Sequence, residues 1–314
     1  MMYETMEMRQ VFANELDKAM AKNKRICLID ADLCKANGRA SLDAKYPKRA
    51  FNVGVAEANM ISIAAGMSSY GMIPFVATFT PFATRRVCDQ IAISCLYAQQ
   101  NVKIIGSDPG LTAEYNGGTH MSVEDIGVIR SIPNIVIFEP VDNTQLVKAF
   151  PQILKYVGTM YIRMFRKVPT PVFKDNYHFD MFSADIIETG KDVTIIASGI
   201  MVSAALEASK ILKKANINAE IINAHTIKPI DINTILASVQ KTKAVVTCEN
   251  HNIIGGLYSA VAEALSANDP FPMEAIGIKD RFGQVGKLNF LLPEYEMTPE
   301  DIVKAVIKVL DRKR

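Results

Sequence analysis

Short, continuously apolar runs separated by helix-length segments constrain this 314-residue chain more than any other feature. The runs are Ile26–Asp30, Pro74–Phe79, Val102–Ser107, Asn134–Phe138 and Met160–Phe165, with a short extended piece at Phe51–Val53. A strand without an alternating polar face is buried on both sides, and strands that alternate with helices build a parallel sheet covered by those helices. Intervening segments carry the helical period: residues 5–22 place Met8, Val11, Phe12, Leu16, Ala19 and Met20 on one face. Further helices are expected over 84–99, 123–130 and 144–156. From Lys167 to about Phe182 the period is lost and two prolines appear, which reads as a linker. Alternation then restarts with strands at Val193–Ala197, Ala219–Asn223 and Ala244–Thr247, and helices over 202–213, near 255–265 and over 298–311. Thr298-Pro299-Glu300-Asp301 opens the last helix with a cap, a proline at the first position and first-turn acids. The expectation is α/β, with a doubly wound, mostly parallel sheet over residues 1–170. A linker over 171–190 and a smaller α/β domain over 191–314 follow it.

Composition narrows the function classes. Hydrophobic residues make up 49% and the formal charge is only +2, so there is core for two domains and no basic field for nucleic acid. No apolar stretch reaches membrane-spanning length, and the first residues lack the basic and apolar parts of a signal peptide. Five cysteines, odd in number and without the paired spacing of zinc sites, read as free thiols. The expected location is the cytoplasm.

Gly54-Val55-Ala56-Glu57 heads a stretch to Met67 with no other charged side chain, rich in Gly, Ala and Ser. A lone acid there is either an exposed first-turn residue favoured by the helix dipole or a carboxylate buried for a purpose. Parallel sheets bind ligands at the carboxyl ends of their strands. Ala56-Glu57, Thr78–Arg86 and Ser107–His120 all follow strands at that end, so these loops are expected to converge.

Several motifs, in this order and spacing, resemble the C-terminal half of transketolase as found where the enzyme is split between two polypeptides. They are the run from Asn52 through Glu57 to Met60, Phe75-Val-Ala-Thr-Phe79-Thr-Pro-Phe82, and Gly117-Gly118-Thr119-His120 followed by Val123-Glu124-Asp125. Arg130-Ser-Ile-Pro-Asn134 and Asp192–Gly199 continue the series. The resemblance implies a pyrimidine-binding domain for thiamine diphosphate followed by the transketolase C-terminal domain. It implies that Glu57 hydrogen-bonds N1′ of the cofactor's aminopyrimidine and promotes the imino tautomer that deprotonates the thiazolium carbon. Burial among apolar neighbours disfavours the charged form of a carboxylate and so favours sharing a proton with a weakly basic ring nitrogen. By the same resemblance Phe82 stacks on the aminopyrimidine with Phe79 in support, and His120 meets the hydroxyls and carbonyl of the substrate.

The sugar-phosphate grip of the family departs from its pattern here. Arg9 and Arg166 match its two arginines, with Arg163 a nearby competitor for the second. Its serine is replaced by Ala36 or Asn37, its histidine by Asp108, an anion that repels phosphate, and the aspartate before the Gly-x-Thr-His element by Asn116. Arg85 and Arg86 stand near the place of a tyrosine. They are replacement anion donors, solvated cations, or partners of Asp89 at a subunit interface. The Gly-Asp-Gly…Asn motif that holds Mg²⁺ and the diphosphate in this superfamily is absent from the sequence.

The resemblance therefore implies a C-terminal subunit that moves a two-carbon ketol unit from a ketose, phosphorylated or not, to an aldose. Mg²⁺ would be held mainly by an N-terminal-half partner, in an α2β2 assembly with homodimer contacts through this chain. The β subunit of a 2-oxo acid dehydrogenase is the nearest rival, and deoxyxylulose-phosphate synthase a weaker one. A non-catalytic regulatory or binding paralogue is the alternative of another class.

Overall fold

Helix α1 (Met8–Lys22) turns Met8, Val11, Phe12, Leu16, Ala19 and Met20 inward, the face its sequence period marks. In this computed structural model the described residues are Tyr3 and 5–313. Residues 1, 2, 4 and 314, where the expected domains begin and end, lie outside the described residues. After α1 come β1 (Ile26–Asp30), α2 (Ala40–Lys45), β2 (Ala50–Asn52), α3 (Glu57–Ser69), β3 (Ile73–Phe79) and the short α4 (Thr80–Ala83). They are followed by β4 (Lys103–Ser107), α5 (Asp125–Arg130), β5 (Val136–Phe138), α6 (Asn143–Lys155) and β6 (Met160–Met164). Continuing the chain are β7 (Asp185–Glu188), β8 (Val193–Ala197), α7 (Met201–Lys214), β9 (Ala219–Asn223), β10 (Thr226–Lys228) and α8 (Ile232–Thr242). The last elements are β11 (Val245–Asn252), α9 (Leu257–Ser266), β12 (Met273–Ile278), α10 (Leu288–Glu294) and α11 (Pro299–Asp311).

The chain forms two compact units, one of residues 1–109 and 128–179, the other of 110–127 and 180–314. In the first unit the strands lie in the order β5-β6-β4-β3-β1-β2, every pair parallel. Strands β1, β3, β4 and β6 are buried along their whole length, the continuous-apolar pattern of a two-sided sheet. Phe12, Phe75 and Phe150 meet within its core at centroid separations of 5.6–6.2 Å. A charged pair is buried here too: Arg163 of β6 is fully enclosed and reaches Glu139 at 2.5 Å.

In the second unit the strand order is β12-β11-β8-β9-β7, parallel except for β7 at the edge. Helices α7, α8, α9 and α11 bury apolar faces. Thr298 and Asp301 form the reciprocal capping box at the start of α11. Residues 110–127 pack within this unit: Leu111 donates to Asn250 Oδ1 (2.9 Å) and Asn252 to the Val123 carbonyl (2.7 Å).

Three local differences from the sequence expectation have physical causes. The helix expected over 84–99 is interrupted. Thr84 takes φ −129°, ψ −89°, a tight turn follows at Arg85–Val87, and a widened helical stretch runs over Gln90–Tyr97. Edge strand β7 is only four residues long and half-exposed, too short to print a period. Strand β12 carries Glu274 and Gly277, residue types depleted in strands. Between β6 and β7 there is no helix or strand. All five cysteines are free, and among the described residues no helix is long and apolar enough to cross a membrane.

Candidate active site at the carboxyl edge of the first sheet

Parallel order places the residues that follow each strand side by side. Across β6, β4, β3, β1 and β2 these are Arg166, Asp108, the Phe79–Phe82 segment, the loop over 31–39, and Glu57.

Glu57 is positioned by a turn that its sequence encodes. Gly54 adopts φ +75°, in the left-handed region that glycine enters without strain. Its N–H donates to Asn52 Oδ1 (2.9 Å), which also accepts from the Asp32 amide (3.1 Å). The chain then enters α3 with Glu57 at the first helical position. The side chain is only 5% exposed. It is therefore the buried alternative of the two the sequence left open, although it retains the helix-start position.

One cation answers it. Arg86 Nη1 lies 3.2 Å from both Glu57 Oε1 and Oε2, while its guanidinium sits over the Phe82 ring at 4.0 Å from the centroid. Phe82 is half-buried and Phe79 nearly buried, their rings 6.3 Å apart and tilted by 57°. Arg166 lies over the Phe79 ring at 4.8 Å.

A second cluster surrounds Ala36. Its carbonyl accepts from Arg9 Nη1 (2.7 Å) and from Arg166 Nη1 (3.2 Å), drawing the two arginines together. Backbone bonds reinforce this: the Arg9 amide donates to the Arg166 carbonyl (3.2 Å) and Met8 to Lys167 (2.9 Å). Each arginine also meets a carboxylate. Arg9 holds Glu7 at 2.7 Å, and Arg166 places Nε and Nη2 on Asp108 Oδ2 at 2.5 Å. Asp108 is almost fully buried, and burial pushes its carboxyl up against the pull of Arg166. Asp108 is thus the tether of Arg166 rather than a free repelling charge. Arg163, the competitor for the second arginine position, points into the core towards Glu139.

Arg9, Glu57, Phe79, Phe82, Asp108 and Arg166 are therefore brought together in the first unit. Asn116 and His120 belong to the second. Asn116 is exposed; His120 is half-buried, with Nδ1 2.9 Å from the Thr119 hydroxyl. Gly118 is required there by packing, since a Cβ would stand 2.9 Å from the Gly283 carbonyl oxygen. Of the two arginines weighed as anion donors, Arg85 is exposed and Arg86 is the one on Glu57. The only sequence signal for Arg86 was the doublet itself, because the break at Thr84 removes the helical phase that would have separated the two.

The donor set fits part of a thiamine cofactor. A buried carboxylate beside two aromatic rings suits a flat, nitrogen-bearing ring. Among the described residues no group of three or more His, Cys, Asp or Glu side chains could hold a metal ion.

Comparison with known proteins gives two family matches. One is to the transketolase pyrimidine-binding domain over residues 4–169, the other to the transketolase C-terminal domain over 183–302. The 6-deoxy-6-sulfo-D-fructose transketolase subunit of Clostridium sp. (strain MSTE9) is 47% identical, over 98% of this chain and 95% of that protein. A putative transketolase C-terminal section of Methanocaldococcus jannaschii is 37% identical, over 97% and 96% respectively. A solved structure described as a split gene transketolase, inactive beta4 tetramer, superposes with a TM-score of 0.89 at 37% identity, covering 98% of this chain and 99% of that one.

Proposed function

This chain belongs to the transketolase family, and on that premise we propose that it is the C-terminal subunit of a two-component, thiamine-diphosphate-dependent enzyme transferring a two-carbon ketol unit from a ketose to an aldose. The observation that carries the proposal is the buried Glu57 carboxylate beside the Phe79–Phe82 pair. Thiamine diphosphate, when bound, supplies the carbon nucleophile that ketol transfer requires. Glu57 hydrogen-bonds the ring nitrogen and exchanges a proton with it. Phe82 supports the ring face, and Phe79 holds Phe82 at its angle. For His120 and Asn116 the proposal rests on the family motif alone: His120 meets the hydroxyls and carbonyl of the sugar, and Asn116 stands four residues before it in sequence. The lack of Gly-Asp-Gly in the sequence supports an N-terminal-half partner that holds Mg²⁺ and the diphosphate.

Arg9 and Arg166 hold the far end of the donor, and the charge balance around them favours one class. Two guanidiniums that share the Ala36 carbonyl each carry a carboxylate, so the cluster has little net positive charge. A phosphate monoester brings a charge of about −1.5 to −2 at neutral pH; a sulfonate brings one. The donor we propose is a ketose with a singly charged terminus, the chemistry named in the 47% identical relative. The test pairs this chain with the N-half subunit and compares ketose donors. We expect kcat/KM for 6-deoxy-6-sulfofructose to exceed that for fructose 6-phosphate by at least about tenfold, with Asp108→His shifting the ratio towards phosphate. A wild-type preference for phosphate contradicts this substrate assignment, and failure to use any ketose contradicts the transfer activity.

A further inference from the structure

Arg86 does to Glu57 and Phe82 what a cofactor ring must do. Its guanidinium is flat and nitrogen-bearing, hydrogen-bonds the Glu57 carboxylate, and lies on the Phe82 face at 4.0 Å. Nη1 is equidistant from the two carboxylate oxygens, 3.2 Å from each, and so meets the polar edge of the carboxylate. The same residue is half-exposed, with a side-chain accessibility of 48%, against 5% for Glu57. It is carried on the Arg85–Val87 turn, directly after the backbone break at Thr84. An arginine so placed can reach solvent by side-chain rotation while Glu57 stays fixed at the start of α3.

We propose that Arg86 is a built-in surrogate for the aminopyrimidine: it holds Glu57 and Phe82 in their working arrangement and is displaced when the cofactor ring arrives. This rests on reading Glu57 and Phe82 as cofactor contacts. The physical logic is one of charge. A carboxylate enclosed as Glu57 is costs free energy unless something satisfies it, and among the described residues Arg86 is the side chain that spans both oxygens. The ring later takes over that hydrogen bond and the aromatic face. Arg86 is thus a positioning residue for Glu57 and at the same time a competitor of the cofactor. The arginine's planar fork is what lets it do both; a lysine ammonium would pair with the carboxylate but leave the ring face uncovered.

Two measurements test this. On the isolated full-length chain, thermal unfolding of Glu57→Gln, Arg86→Gln and the double variant reads the contact itself. The account expects non-additive shifts, the double variant losing less than the sum of the singles; additive shifts overturn it. With the N-half subunit present, calorimetric titration of thiamine diphosphate and Mg²⁺ reads the competition. Arg86→Gln is expected to tighten cofactor binding by roughly two- to fivefold, the fold-change of a half-exposed ion pair, with Arg86→Lys intermediate. Should the glutamine variant assemble poorly, the lysine variant alone must still bind more tightly than wild type. Equal or weaker binding by the variants overturns the surrogate role while leaving the cofactor assignment intact. A wild-type pair that binds no cofactor overturns both.

Discussion

Glu57→Gln lowers the turnover of the assembled enzyme by roughly 10²–10⁴-fold, the range a positioned acid–base group supplies. The substitution is chosen because it preserves shape. A carboxamide fills the same space at the head of α3 and still accepts a hydrogen bond, but it cannot exchange a proton with a ring nitrogen. Loss should therefore fall on kcat with little change in donor KM, the pattern of an interaction made in the transition state. Thermal unfolding and circular dichroism should show an intact fold, since α3 is held by Met60, Ile61, Ala64 and Ala65 in the core rather than by Glu57 alone. Near-normal turnover in the variant would falsify the role given to this residue.

A second large effect belongs to stability. Arg163→Ala should destabilise the first unit by about 3–5 kcal/mol, because it strands the Glu139 carboxylate in the interior. Arg163 is fully enclosed and Glu139 nearly so, with their charged atoms 2.5 Å apart. Replacing both, as Arg163→Met with Glu139→Leu, should recover much of the loss, since no charge is then left uncompensated. Denaturant unfolding of the two variants checks this; an Arg163→Ala loss under about 1 kcal/mol, the size of a surface pair, contradicts it. The contrast with Arg9 separates two kinds of arginine. Arg9 is partly exposed and joined to Arg166 through the Ala36 carbonyl, so Arg9→Ala should leave the fold in place.

Much of this was legible in the chain. The strands that read as continuous apolar runs are the buried central strands, because a sheet covered on both faces leaves no polar alternation to write. Glu57 was legible as an anomaly, one charge in a small and apolar surround, and its burial agrees with that. The rest was hidden for specific reasons. Asp108 reads as a lone anion in one dimension, and only the β4–β6 pairing brings Arg166 against it. Arg85 and Arg86 are indistinguishable by sequence because the backbone breaks just before them. Strands β7 and β12 were missed because one is short and half-exposed and the other contains Glu and Gly. Nor does sequence separate Arg163 from Arg166. What does so is the pleat, which sends Arg163 inward from β6, while Arg166 lies just beyond the strand's end.

The central claim is that this chain grips the aminopyrimidine and depends on another chain for the diphosphate and metal. Calorimetric titration of thiamine diphosphate with Mg²⁺ into the isolated chain, and into the chain mixed with a Gly-Asp-Gly-bearing N-half subunit, tests it most directly. The account predicts no micromolar binding to the isolated chain, tight binding to the mixture, and weakened binding when Mg²⁺ is removed by chelation. Micromolar binding by the isolated chain would contradict it.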